Sequence, residues 1–578
     1  MNVLLLHPED TVAPSYPGQH WDLVVDLGRA PLEAYDRWSR RVGCPVISIY
    51  DHAEETEDLY RLRELLQLGR DVMVDALGID WWDVLALEIA SEVQQFMLIH
   101  RLSKKLSSNC ELYSSRPHSL ATALRELLGT GLTTLETRVQ SVIHGGRHYR
   151  QIFSRLDSAQ LVQVLADKFD AAHSIRHHFT RRGQPSGQSV ILLPSAYVNV
   201  SRTVLSYAEL FPDQKFLLVH TRRNAKVKSL PANVCSASLT PYFVPSDKRE
   251  TASLLESWNN LTEQLIDSAE EFNTANAVGV LGRIPALLPW GIALRNAWSQ
   301  IFESENVTAC LTADDSNPPS SIPLILAKRR CIPALACHHG ALDYKMAIKV
   351  NHADFYLVKS EMERDYLSRV CRLGSEKMVT TVPVSSRPLP LPRAARQSAP
   401  WLVFFTEPYQ NLGWRTDEVY RYLLPRLCRL AQTCGLKLVF KLHPFESIKG
   451  HRRMLRRFLP EQEHQIEVLA GPPSDQLWNN TRLALTVQSS TALECASRGV
   501  PIFLCAWLRD PYSGYVHQYE RFGVGQVLES PEQIAEIPRL LKRQNGKPLP
   551  QEAGKSATNT ELAYLFSRTY SLPMASNA

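Results

Sequence analysis

The chain has 578 residues, 44% hydrophobic and 21% charged, with a formal net charge of +5. That length suits roughly two to four domains with cores of their own. The small charge, with no patch of basic residues interleaved with aromatics, speaks against a nucleic-acid partner, and no run of ~18 apolar residues offers a transmembrane helix.

The N-terminal MNVLLLHPED is too short in apolar residues, and lacks a basic flank, to be a signal peptide. Val3–Leu6, Leu23–Val25 and Val46–Tyr50 are short apolar runs between turn-rich segments, the opening strands of an α/β domain. From Glu54 to Arg182 apolar residues recur at three and four, which predicts a helical insertion. Strands resume at Val190–Pro194 and continue at Lys215–His220, Val307–Asp315, Ile332–Gly340 and Asp354–Ser360, with helices over Ala252–Phe272 and Leu288–Ser304. Apolar strands alternating with helices predict a parallel sheet covered on both faces.

The N-terminal domain is thus expected over residues 1–385. Residues 386–400 close the proline-rich stretch Thr381–Pro400, in which fixed φ and missing N–H groups favour a linker. A second α/β unit is expected over 401–550, with strands at Trp401–Pro408, Leu436–Pro444, Gln465–Gly471, Leu483–Ser490 and Val500–Trp507 and helices near Glu418–Thr433 and Thr491–Arg498. In the tail, 551–578, a helix near Asn559–Thr569 is expected to pack back across the linker. Eleven cysteines without CxxC spacing point to reduced thiols in a cytoplasm. The basic run His451–Arg457 has two readings, a solvated helix face or a peripheral contact with anionic lipid.

The chemistry concentrates in Leu436–Cys505. In LKLVFKLHP, Lys441, His443 and Pro444 leave one strand; in LALTVQSSTALECASRG, Ser489, Ser490 and Thr491 leave a later strand and open a helix. Free N–H groups and the dipole of a helix start favour an anion there, and hydroxyls add donors. The same Ser/Thr pattern also caps helices without any ligand. Glu494 follows Ser490 by one helical turn, within reach of a ribose hydroxyl. Gly471 opens a strand-end loop for a nucleoside base, Glu407 follows the first strand of the unit, and Ser195 ends Val190–Ser195 toward the same cleft.

This ordered pair of turns resembles the C-terminal domain of GT-B glycosyltransferases, in particular a bacterial set that builds surface polymers: sialyl- and polysialyltransferases, capsule Kdo transferases and CDP-glycerol transferases. The resemblance is close over Leu436–Cys505 and architectural elsewhere. It implies an α/β fold of two Rossmann-like domains facing a cleft. It also implies that His443, Pro444 and the Ser489–Thr491 turn contact a nucleotide-activated donor, CMP-linked sugars among the candidates. The acceptor would be a glycan, a lipid-linked glycan or a protein, handled by the N-terminal domain.

The base that deprotonates the acceptor is then expected before Thr381. CHHG offers His339, with His338 beside it, and TADD offers Asp314 and Asp315. The HG pair resembles a histidine–glycine element of CDP-glycerol transferases, which favours His339. Asp314-Asp315 is followed by Ser316, not by the glycine of the sialyltransferase acidic motif. No residues have metal-ligand spacing, so metal-independent transfer without a cofactor is expected. Two rivals are a nucleotide-sugar epimerase of the same shape and a non-catalytic scaffold whose helical segment binds a partner. The oligomeric state is not set by these motifs.

Overall fold

The computed structural model describes residues 1–7, 20–28, 32–135, 187–222, 225, 227, 229–243, 247–340, 342, 344–381, 397–407, 418–444, 446–509, 512, 515–544 and 559–567. Three parallel sheets organise them. The first comprises β1 (Asn2–Leu6), β2 (Leu23–Asp26), β3 (Val46–Ser48), β4 (Glu111–Ser114) and β5 (Leu132–Thr134), in the order β3-β2-β1-β4-β5.

The second comprises β6 (Ser189–Ser195), β7 (Phe216–His220), β8 (Val234–Ser238), β9 (Asn306–Thr312), β10 (Ala334–Cys337), β11 (Phe355–Val358) and β12 (Met378–Thr380), in the order β12-β11-β10-β9-β6-β7-β8. The third comprises β13 (Trp401–Phe405), β14 (Lys437–Lys441), β15 (Glu467–Leu469), β16 (Thr481–Thr486), β17 (Ile502–Cys505) and β18 (Gln526–Leu528), in the order β15-β14-β13-β16-β17-β18.

Each sheet starts in its middle, winds outward through two strands, then crosses back to the other side of its first strand. This is the doubly wound Rossmann order, and its ligand crevice lies where the winding reverses, at the carboxyl ends of the first and fourth strands. The second and third sheets are the two Rossmann-like units of a GT-B-like fold.

The first sheet was not expected. Its opening strands join no part of the seven-stranded sheet, and β4 and β5 lie within the stretch read as a helical insertion. That stretch does hold long helices, notably Ala86–Lys105, whose buried face includes Ile89, Val93, Phe96 and Ile99. The helical pattern over Ser158–Phe179, most of the proline-rich linker and the loop after Glu407 lie outside the described residues.

Apolar alternation explains how the units are held. On β13, Leu402 and Phe404 enter one core cluster, while Val403 and Phe405 enter another on the opposite face. The latter cluster is continuous with residues of the first and second sheets, so all three units share apolar packing. Helix Leu424–Cys434 ends at Gly435, whose φ of 63° gives the left-handed cap that returns the chain into β14. The tail helix, Asn559–Ser567, buries Leu562, Leu565 and Phe566 against the second unit, with Phe566 edge-on to Phe211 at 5.3 Å.

The first unit docks on helices of the second. Arg295 lies buried and donates to both Asp75 and Glu250, and Trp81 Nε1 donates to Asp75 at 3.0 Å. Trp81 covers Gly291 so closely that a Cβ there would sit 2.4 Å from the indole. Among the described residues no single helix is long and apolar enough to cross a membrane.

Candidate active site

The reversal point of the third sheet lies between β13 and β16. Glu407, just past β13, is buried and accepts from the backbone N–H of Gln488 at 3.0 Å, which ties the two strand ends together. Next in the chain, Ser489 Oγ and Thr491 Oγ1 are 2.8 Å apart, and Ser489 Oγ accepts from Thr491 N–H at 3.3 Å. Tyr519 donates to the Ser489 carbonyl at 3.3 Å. The Ser490 hydroxyl does not cap the helix that follows, which spans only seven residues, Thr491–Ser497. So short a helix adds little dipole; the turn offers hydroxyls and N–H groups instead.

The β14 exit is built on a buried polar chain that sequence reasoning missed. Thr406 Oγ1 accepts from His443 N–H at 2.9 Å and donates to Glu446. Glu446 Oε1 lies 3.0 Å from His451 Nε2, and the other ring nitrogen of His451 meets the Tyr420 hydroxyl. The chain fixes the His443 backbone, while Pro444 beside it is exposed. The signal was present as a histidine in the middle of a basic helix, but its partners lie far away in sequence.

Burial lowers the His443 pKa to about 4; Glu446 opposes the shift, and His339 and Lys441 reinforce it. His443 is therefore neutral at pH 7, and its ring carries one N–H and no charge. Lys441 is buried, donates to the Gly471 carbonyl at 2.6 Å and the Leu442 carbonyl at 3.1 Å, and braces the loop at Gly471, whose φ is 89°. Burial lowers the Lys441 pKa to about 8, with Arg202 adding to the shift and Glu494 opposing it. Glu494 is half-buried; burial raises its pKa against the pull of Arg498, Lys359 and Lys441.

The facing wall comes from the second unit. Helix Val198–Ala208 follows β6, and its Asn199 amide nitrogen lies 3.3 Å from His443 Nε2. If this amide donates, His443 keeps its proton on Nδ1. Sequence reasoning missed Asn199 and Arg202, which sit early in an ordinary amphipathic helix. Ser195 does not face the cleft. It is fully buried, 2.7 Å from the Ser201 hydroxyl.

The three residues expected as bases fall into different places. Asp315 is buried between Lys349 and the Tyr356 hydroxyl, and its pKa is lowered: burial raises it, but Lys349 and His338 overcome that. It is a structural anion, not a base. Asp314 is also engaged inside the fold, accepting from Ser316 N–H at 2.8 Å, from the Asn317 amide at 2.6 Å and from the Tyr197 hydroxyl.

His339 is half-buried, with Nδ1 3.0 Å from the Ala313 carbonyl oxygen and its ring edge-on to Tyr197 at 5.2 Å. A carbonyl oxygen only accepts, so Nδ1 carries the proton and Nε2 presents a lone pair. Asp314 thus holds Tyr197, and Tyr197 packs on His339. His338 is stacked on Tyr356 and burial pushes its pKa well down, a core histidine.

No family model matches the sequence, and no curated protein matches it. Among solved structures it is similar to MnaA of S. aureus bound to UDP, at 12% identity over 66% of this chain and 98% of that one, with a TM-score of 0.39. It is also similar to a Methanocaldococcus jannaschii UDP-GlcNAc 2-epimerase, at 10% identity over 65% and 99%, TM-score 0.40. Acinetobacter baumannii MurG is similar at 10% identity over 65% and 98%, TM-score 0.39.

Proposed function

We propose that the protein is a glycosyltransferase that moves a sugar or polyol-phosphate from a nucleotide-activated donor to a hydroxyl acceptor. The observation that carries this reading is the meeting of His443 with Asn199 at 3.3 Å, with His339 near enough to depress the His443 pKa. This contact supports a reading in which the donor turns and the base face each other across one cleft.

In this reading the donor phosphate rests against His443, Pro444 and the Ser489–Thr491 turn. Glu494 lies toward the ribose and Gly471 toward the base. His339 Nε2 takes the acceptor hydroxyl proton as the oxygen attacks the anomeric carbon or the phosphorus. The leaving nucleotide is stabilised by fixed donors, an electrostatic contribution that needs no reorganisation. A metal-independent step fits that donor set.

A role in surface polysaccharide assembly, with a glycan, lipid-linked glycan or protein acceptor and CMP-linked sugars among the donors, is the finer form of the proposal. Work at the inner face of a membrane belongs to it. Helix Ile448–Phe458 exposes Lys449, Arg453, Arg456 and Arg457, suited to anionic lipid.

Titration with CMP, CDP, UDP and GDP tests the reading. At least one nucleotide is expected to bind and raise the melting temperature. Failure of all four removes the proposal.

A further inference from the structure

Arg202 lies three residues beyond Asn199 on helix Val198–Ala208, and residues so spaced share one helix face. Asn199 reaches His443 at 3.3 Å, so that face abuts the exit of β14, where Lys441 is also found. The Arg202 guanidinium is half-buried and makes no hydrogen bond or ion pair among the described residues. Among the described residues Lys441 donates to two carbonyl oxygens, of Leu442 and Gly471, and to no acid. Burial lowers the pKa of both cations, and Arg202 adds to the shift on Lys441. Glu494 is the one acid felt by Lys441, and it forms no ion pair among the described residues. Two desolvated cations from facing domains, with Glu494 near Lys441 but paired to neither among the described residues, are costly unless a ligand brings further negative charge.

We propose that Arg202 and Lys441 form an interdomain clamp for a diphosphate, so that the protein selects nucleoside diphosphates over monophosphates. This deepens the transferase reading and rests on it. One phosphate occupies the His443 and Ser489–Thr491 donors. The second lies toward Arg202, whose planar fork suits bidentate phosphate contact. The clamp favours diphosphate-activated donors over CMP-linked ones.

Calorimetric titration of the full chain with UMP and UDP, CMP and CDP, and GMP and GDP tests the clamp. For the preferred base, the diphosphate is expected to bind about tenfold or more tightly than the monophosphate, the scale of one charge-assisted contact. Arg202→Gln is expected to abolish that margin and leave monophosphate affinity intact; Arg202→Lys is expected to keep part of it. A wild-type margin in Arg202→Gln, equal binding of mono- and diphosphate by the wild type, or equal loss of both ligands in both variants would overturn the clamp while leaving the transferase reading standing. Absence of any nucleotide binding to the wild type removes that reading and the clamp with it.

Discussion

His339 and His443 divide the work proposed for the cleft, and they should separate in experiment. His339→Ala is expected to lower turnover by about 10²–10⁴-fold, the usual contribution of a positioned base, while nucleotide affinity stays unchanged. His443→Ala is expected to weaken nucleotide binding instead. Wild-type turnover in the first variant, read by product formation, would sink the base assignment.

The pKa of His443 also makes a stability prediction, because His118 and His352 are likewise depressed by burial to about 4. All three bind protons more readily in the unfolded chain, where the ordinary value is 6.5. Their contribution to stability is whole above about pH 6.5 and is lost as pH falls toward 4. The melting temperature should therefore fall across that window. A flat profile would contradict it.

Among the elements, the turn at Ser489–Thr491 is the one whose chemistry and stability come apart. A serine that capped its helix would cost about 1 kcal/mol of stability when replaced by alanine. Ser490 caps nothing, so Ser490→Ala should leave the melting temperature in place and still weaken nucleotide binding. Loss of stability without loss of affinity would return this turn to an ordinary helix start.

The strands themselves were legible because parallel, doubly buried strands are almost wholly apolar, as in WLVFF and LKLVF. The short edge strands β5, β8 and β18 were not, since an edge with a half-exposed face carries little periodic signal, and β12 was missed because three buried residues are too few to show a period. For β4 the cause differs: it sits between helices, and the surrounding period of 3.6 masked it.

At the scale of the molecule the first unit is locked to the second by a buried ionic group and by close packing. Removing Arg295 strands Asp75 in the interior, so Arg295→Ala should cost about 3–5 kcal/mol in chemical denaturation. Gly291→Ala forces a methyl against Trp81 and should cost about 1–3 kcal/mol. Unchanged denaturation midpoints in both would mean that the two units are not mechanically coupled.

The α/β class, the alternation of strand and helix, and the two polar turns of Leu436–Cys505 were legible along the chain, because they depend on local periodicity and on which residues end a strand. Tertiary contacts set the division into three sheets among the described residues and sealed Asp315 in an ion pair with Lys349. The same contacts set Asn199 against His443 at the exit of β14 and turned His339 Nδ1 to the Ala313 carbonyl, with no partner for Nε2 among the described residues. Those outcomes depend on contacts between residues tens to hundreds of positions apart. No local pattern encodes the burial, charge partners and tautomer that such contacts impose.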